Sequence, residues 1–127
     1  MIWIFLGLII IAGISNAIMD VIRFRYSTSV FKKFKNQQWW NPSISWRNKW
    51  KNGDHTQGEK FWGSSRWFVR FTDAWHFFQG MMFTTLFLSI VVYVPLIVLY
   101  IDFILIYFLF TAVFNLFYNI IFIKEKI

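Results

Sequence analysis

A chain of 127 residues that is 57% hydrophobic and 24% aromatic, with a mean hydropathy of +0.49, has too little polar surface to cover its apolar side chains, which excludes an ordinary soluble domain. The absence of cysteine excludes disulfide frameworks, zinc–thiolate sites and thiol nucleophiles together. The net charge of +7 is unevenly placed: eleven of the thirteen Lys and Arg lie between Arg23 and Arg70, while the flanks run almost uncharged.

Residues 1–22 read as the first transmembrane helix, since Met1–Met19 carries no ionisable side chain and Ile2–Ile22 is long enough to cross a bilayer. A cleaved signal peptide is the competing reading; the stretch lacks a basic n-region and is too long for an h-region. Trp3 at one end and Phe24 and Tyr26 at the other suit the aromatic belts of the two interfaces.

Residues 23–72 form a basic, aromatic-rich segment, and Phe24–Phe77 holds seven of the eight Trp. Such aromatic content argues against a disordered linker. Ser27 or Ser29 would cap a helix with Val30, Phe31 and Phe34 on one face and Lys32, Lys33 and Lys35 on the other. Asn41-Pro42 reads as N-cap and N1 of a second short helix through Trp46 and Trp50, ended by Asn52-Gly53. Both are expected to lie in the interface plane, basic faces on headgroups. Lys51–Lys60 reads as an exposed loop.

Phe77–Ile123 has 47 residues and one charged group, Asp102, enough for two helices. The expected division is a second span over 73–100, kinked at Pro95, and a third over 102–123 with Asp102 as its N-cap, followed by a tail at 124–127. A turn at Tyr93-Val94-Pro95 is the alternative. A lone carboxylate costs less at the interface than at mid-bilayer, which favours Asp102. The fold class expected is therefore an all-α integral membrane protein: one N-terminal span, a C-terminal hairpin of two spans, and a basic interfacial helical segment between spans one and two. The basic segment and Lys124/Lys126 fall on one side, so the positive-inside rule gives N-out, C-in, with residues 23–72 cytoplasmic, in a bacterial cytoplasmic membrane. The bias toward Phe, Ile, Lys and Asn matches an AT-rich genome.

The polar groups that could carry chemistry cluster at the same interface. Asn16 and Asp20 share one face of span one, and Asp73 and His76 share one face of span two. Their meeting, with His55, Asp54 or Glu59 closing from the loop, would build an N/O-donor site for a divalent metal (Asp20, Asp73, His76, His55) or a catalytic pair, Asp73 and His76. Gly63-Ser64-Ser65-Arg66, read as a helix start, offers free amides and hydroxyls; with Arg70 a turn later, Ser64, Ser65, Arg66 and Arg70 become a phosphate- or lipid-binding set. Each feature also has a purely structural reading, as an N-cap, a snorkelling Arg or a water-line Asp.

Signatures of serine hydrolases, zincins, phosphate loops and dinucleotide folds are missing. The implied partners are the bilayer and anionic phospholipid; tethering to membrane at both ends of the basic segment argues against nucleic acid. Asn115 and Asn119 on span three would support a homo-oligomer. The leading expectation is a small polytopic membrane protein that binds anionic headgroups and forms a polar metal- or phosphate-binding site. The alternative is a non-enzymatic assembly, accessory or pore-forming protein of phage or toxin type.

Overall fold

The structure, a computed structural model, describes residues 1–124; the expected role of Lys126 in the tail lies outside them. It is helical throughout, with no strands among the described residues, and three helices are long and apolar enough to cross a membrane. These are α1 (Ile2–Phe24), α4 (Ala74–Val91) and α5 (Leu99–Leu116), the last extended by a π-helical turn at Phe117–Ile121. Two single-turn helices, α2 (Gln37–Trp40) and α3 (Pro42–Ser45), lie between α1 and α4 among 3₁₀ turns.

Helix α1 is the middle helix and packs against both α4 and α5. Its small residues set the spacing. Ala12 and Ala17 are fully buried, and a Cβ on Gly13 would stand 3.0 Å from Val113 Cγ1 and 3.1 Å from the Phe110 carbonyl. Where lipid replaces water the hydrophobic effect does not drive helices together, so such close approach supplies the dispersion contact instead. The outer surfaces of α4 and α5 are apolar and exposed, as at Phe87, Ile90, Phe103 and Phe108. That is the surface a bilayer covers.

The hairpin differs from the sequence expectation. Helix α4 stops at Val91 and Pro95 sits in an extended linker over 92–98, instead of kinking a helix that runs to 100. Asp102 does not cap α5, whose N-cap is Val98. The carboxylate lies inside the first turn and reaches back, accepting from Leu96 N (2.8 Å), Ile97 N (2.9 Å) and the Tyr93 hydroxyl (2.5 Å). The amides of Leu96 and Ile97 lie beyond the helix and have no helical acceptor, and this fully buried carboxylate satisfies both. The turn is thus at the Tyr93–Pro95 alternative, extended to Val98.

The middle segment folds over the ends of α1, α4 and α5 instead of laying long helices in the interface. Val30–Lys33 makes one 3₁₀ turn. Nearby polar side chains compete for the backbone: Ser29 Oγ donates to Tyr26 O (2.8 Å) and Gln37 Nε2 to Phe34 O (2.6 Å). The amphipathic division still holds at residue level, since Phe31 is buried and stacks on Trp40 (4.9 Å, 5°) while Lys32, Lys33 and Lys35 are exposed. Phe31 joins Ile18, Val21, Ile22, Ala74 and Ile123 in the core, flanked by Trp39, Trp75, Phe78 and Tyr118. A bridge between Ser29 and Ile123, with Val30 N donating to Phe122 O (2.9 Å), ties the segment to the end of α5. Asn41 caps α3 through Ser43 N (3.0 Å) with Pro42 at N1, and the chain reverses where Asn52 (φ 51°) and Gly53 (φ 72°) take left-handed conformations.

Candidate membrane-interface site

Asp73 opens α4 as its N-cap. One carboxylate oxygen accepts from His76 N (3.0 Å), and the other lies 2.6 Å from His76 Nδ1 and accepts from Thr72 Oγ1 at 3.2 Å. The i,i+3 spacing that puts both residues on one helix face produces the contact. The carboxylate is buried, whereas the imidazole is 27% exposed. An Nδ1–H donated to the carboxylate leaves Nε2 as the ring's free acceptor. The pair faces an open groove of about 400 Å³ that Arg23, Pro42, Ser45, Trp46 and Trp75 complete.

Arg23, Ser45 and Trp46 are among the members that sequence reasoning missed, with Pro42 and Trp75. Arg23 ends α1 while Ser45 and Trp46 close α3, and only tertiary packing brings these three beside Asp73. Arg23 follows Asp20 by three residues, so the Asn16/Asp20 face identifies the right end of the right helix. Asp20 and Asn16 themselves do not line the groove. The expected convergence on a divalent metal is not built: no three His, Asp or Glu side chains come together among the described residues. Asp73 spends both oxygens on its own helix start. His55 is exposed in the 51–60 loop with its ring edge toward Trp50 (6.5 Å), and Asp54 turns inward onto Thr56 N (2.9 Å), Thr56 Oγ1 (2.7 Å) and Gln57 Nε2 (3.2 Å). Those bonds, the Thr56 hydroxyl foremost, hold the Asp54 carboxyl below its usual range.

The 63–66 stretch is a series of turns rather than a helix start, and its amides are already engaged. Glu59 accepts from Gly63 N (3.0 Å), Ser65 N (3.2 Å) and the Ser65 hydroxyl. The Ser65 hydroxyl and Gly63 amide hold the Glu59 carboxyl below its ordinary range. Ser64 is fully buried, donating to Lys49 O (2.7 Å). Thus Ser64 and Ser65 do not form the expected phosphate cradle with Arg66 and Arg70, because an internal carboxylate fills it. Arg66 remains exposed. Arg70 turns to α4, where a Cβ on Gly80 would meet its Nε at 2.7 Å, and that buried Nε has no hydrogen-bond partner.

Among the described residues no Lys or Arg lies within 4.0 Å of a carboxylate, and the one imidazole–carboxylate contact at that distance is His76–Asp73. The Lys and Arg side chains of the middle segment therefore stand without carboxylate partners at that distance. Five of the cations lie over aromatic rings or beside them, including Arg23 on Phe24 (5.2 Å) and Arg25 on Tyr118 (5.5 Å). Comparison with protein-family models, with curated proteins and with solved structures gives no match.

Proposed function

We propose that this protein binds anionic phospholipid through its basic, Trp-rich segment, and that the groove of Arg23, Asp73 and His76 receives a lipid phosphate. The observation that carries the reading is the set of unpaired cations interleaved with exposed aromatics, among them Trp62 and Trp67. Cations with no carboxylate within 4.0 Å among the described residues can draw counter-charge from outside, and beside three membrane-length helices a ready source is the headgroup layer. The wealth of Trp supports the same reading, since Trp is favoured at membrane–water interfaces. In the groove Arg23 supplies the guanidinium that grips phosphate, and Asp73 fixes the ring of His76 so that Nε2 can exchange a proton with a bound group. The charge bias supports an N-out, C-in orientation with residues 23–72 cytoplasmic, and the bias toward Phe, Ile, Lys and Asn supports a bacterial cytoplasmic membrane.

Native mass spectrometry of the full chain released from nanodiscs tests the reading. Phosphatidylglycerol should remain bound to the wild type, less to Arg23→Gln, and least to a Lys32, Lys33, Lys35 triple Gln variant. Equal retention in all three would sink it. Should His76→Ala abolish turnover of a phospholipid while lipid retention persists, the groove is catalytic as well as binding.

Assembly of several copies through α5 is a second reading, favoured by Asn115 and Asn119. Both are exposed on that helix and bond only along it, Asn119 Nδ2 to Asn115 Oδ1 (3.3 Å) and Asn115 Nδ2 to Thr111 O (2.9 Å). A detergent-corrected mass decides between one copy and several.

A further inference from the structure

A second groove, of about 410 Å³, lies on the other side of Trp50 from the reversal at Asn52-Gly53, between the Glu59 turn and the Trp67 side chain. Its volume is in the range of small-molecule sites, about 300–1,000 Å³. Trp50, Trp62 and Trp67 line it, together with Glu59 and Arg66. Trp62 and Trp67 are 78% and 77% exposed, so they stand as open walls and do not serve as core.

Two features set this groove apart from the cationic surface around it. Glu59 is fixed in place by Gly63 and Ser65, whose hydrogen bonds, the Ser65 hydroxyl foremost, lower its carboxyl below the ordinary range and favour the charged form. Arg66 lines the same groove without closing on it, since no ion pair within 4.0 Å joins them. An indole-walled space with a fixed carboxylate attracts an alkylated ammonium, whose diffuse charge is met by ring faces on several sides. A neighbouring unpaired guanidinium then meets a phosphate. A purely anionic headgroup would instead face Glu59.

We infer that this groove binds an ammonium joined to a phosphate, as in phosphocholine, with the ammonium among Trp50, Trp62, Trp67 and Glu59 and the phosphate on Arg66. The inference rests on the membrane reading only in placing the groove at headgroup depth. The ligand chemistry is shared by a zwitterionic lipid and by a free phosphate ester, and the two are separable.

Calorimetry of the full chain in an uncharged sugar detergent should show saturable binding of phosphocholine and none of glycerol phosphate. The Trp62→Ala/Trp67→Ala variant, which removes only exposed rings, should weaken binding about tenfold. Glu59→Gln should weaken it as well. Native mass spectrometry from nanodiscs should show phosphatidylcholine retained by the wild type and lost from the double Trp variant. Binding of free phosphocholine without retention of the lipid would support the site with a soluble ligand. Equal binding of glycerol phosphate, absence of phosphocholine binding, or an unchanged affinity in the double Trp variant would each overturn it. Phosphatidylglycerol retention in the Arg23 and lysine variants reports separately on the anionic-lipid reading.

Discussion

Asp73 and Glu59 both direct a carboxylate at backbone amides, yet the side chains they leave free differ. Asp73 takes the amide of His76 and then holds its ring, whereas Glu59 takes two amides and a serine hydroxyl and leaves Arg66 outside. The first contact is readable from sequence because it is local, three residues along one helix. The Glu59 contact spans four to six residues of irregular turn, where no periodicity indicates direction, and so the same amides read as an open phosphate cradle. The consequence for pH follows from the lowered Glu59 value. A carboxyl depressed in the folded state stabilises fully above the unfolded glutamate value, about 4.3, and that contribution is lost as pH falls through the folded one. Hydrogen exchange at Gly63 and Ser65, corrected for intrinsic rates, should show protection constant from pH 7 to 5 and falling below pH 4. In Glu59→Gln the protection should be lower and flat, and a flat wild-type profile would refute the assignment.

At the scale of elements, the three spans are legible because apolar stretches without charge admit few other structures. Their ends are less so. Pro95 and Asp102 were each candidates for a kink or a cap, and the outcome depends on a carboxylate reaching back to Leu96 and Ile97, which only the folded linker shows. The middle segment is the least legible element. Its amphipathic spacing assigns Phe31 and the lysines to opposite faces, but Ser, Thr, Asn and Gln side chains divert the backbone into single turns. Packing of α1 makes a sharper prediction. A Cβ at Gly13 would stand 3.0 Å from Val113 Cγ1 and 3.1 Å from the Phe110 carbonyl, inside van der Waals contact, while a Cβ at Gly7 would meet nothing within 4 Å. Gly13→Leu should therefore overpack the α1–α5 contact at a cost of about 1–3 kcal/mol. Gly7→Leu should leave the thermal midpoint in detergent unchanged, and equal effects at both positions would refute the packing shown.

For the whole molecule, α1 and α5 run parallel and α4 runs against them. Phe5 meets Tyr93 near one end (5.5 Å), and Ile22, Ala74 and Ile123 meet at the other. That arrangement separates the 92–98 linker from the basic segment by the length of the bundle. Because the chain has no cysteine, single introduced thiols report position cleanly. Ile97→Cys and His55→Cys, both at exposed positions, should react with a membrane-impermeant maleimide from opposite sides of sealed vesicles. Labelling from the same side would exclude the three-span arrangement. The groove of Arg23, Asp73 and His76 belongs to this scale too, since α1, α3 and α4 each contribute to it and no stretch of sequence contains it.

The bridge from Ser29 to Ile123 also sets an order of events during synthesis. The bridge partner of Ser29 leaves the ribosome only after both later helices, so Phe31 and its neighbours wait with an unfinished core while nearly a hundred residues are made. During that interval the aromatic segment lies beside the nascent helices with its apolar side chains uncovered. The cap over the helix ends is therefore completed last, when Ile123 arrives to close the core that Ile22 and Ala74 have begun.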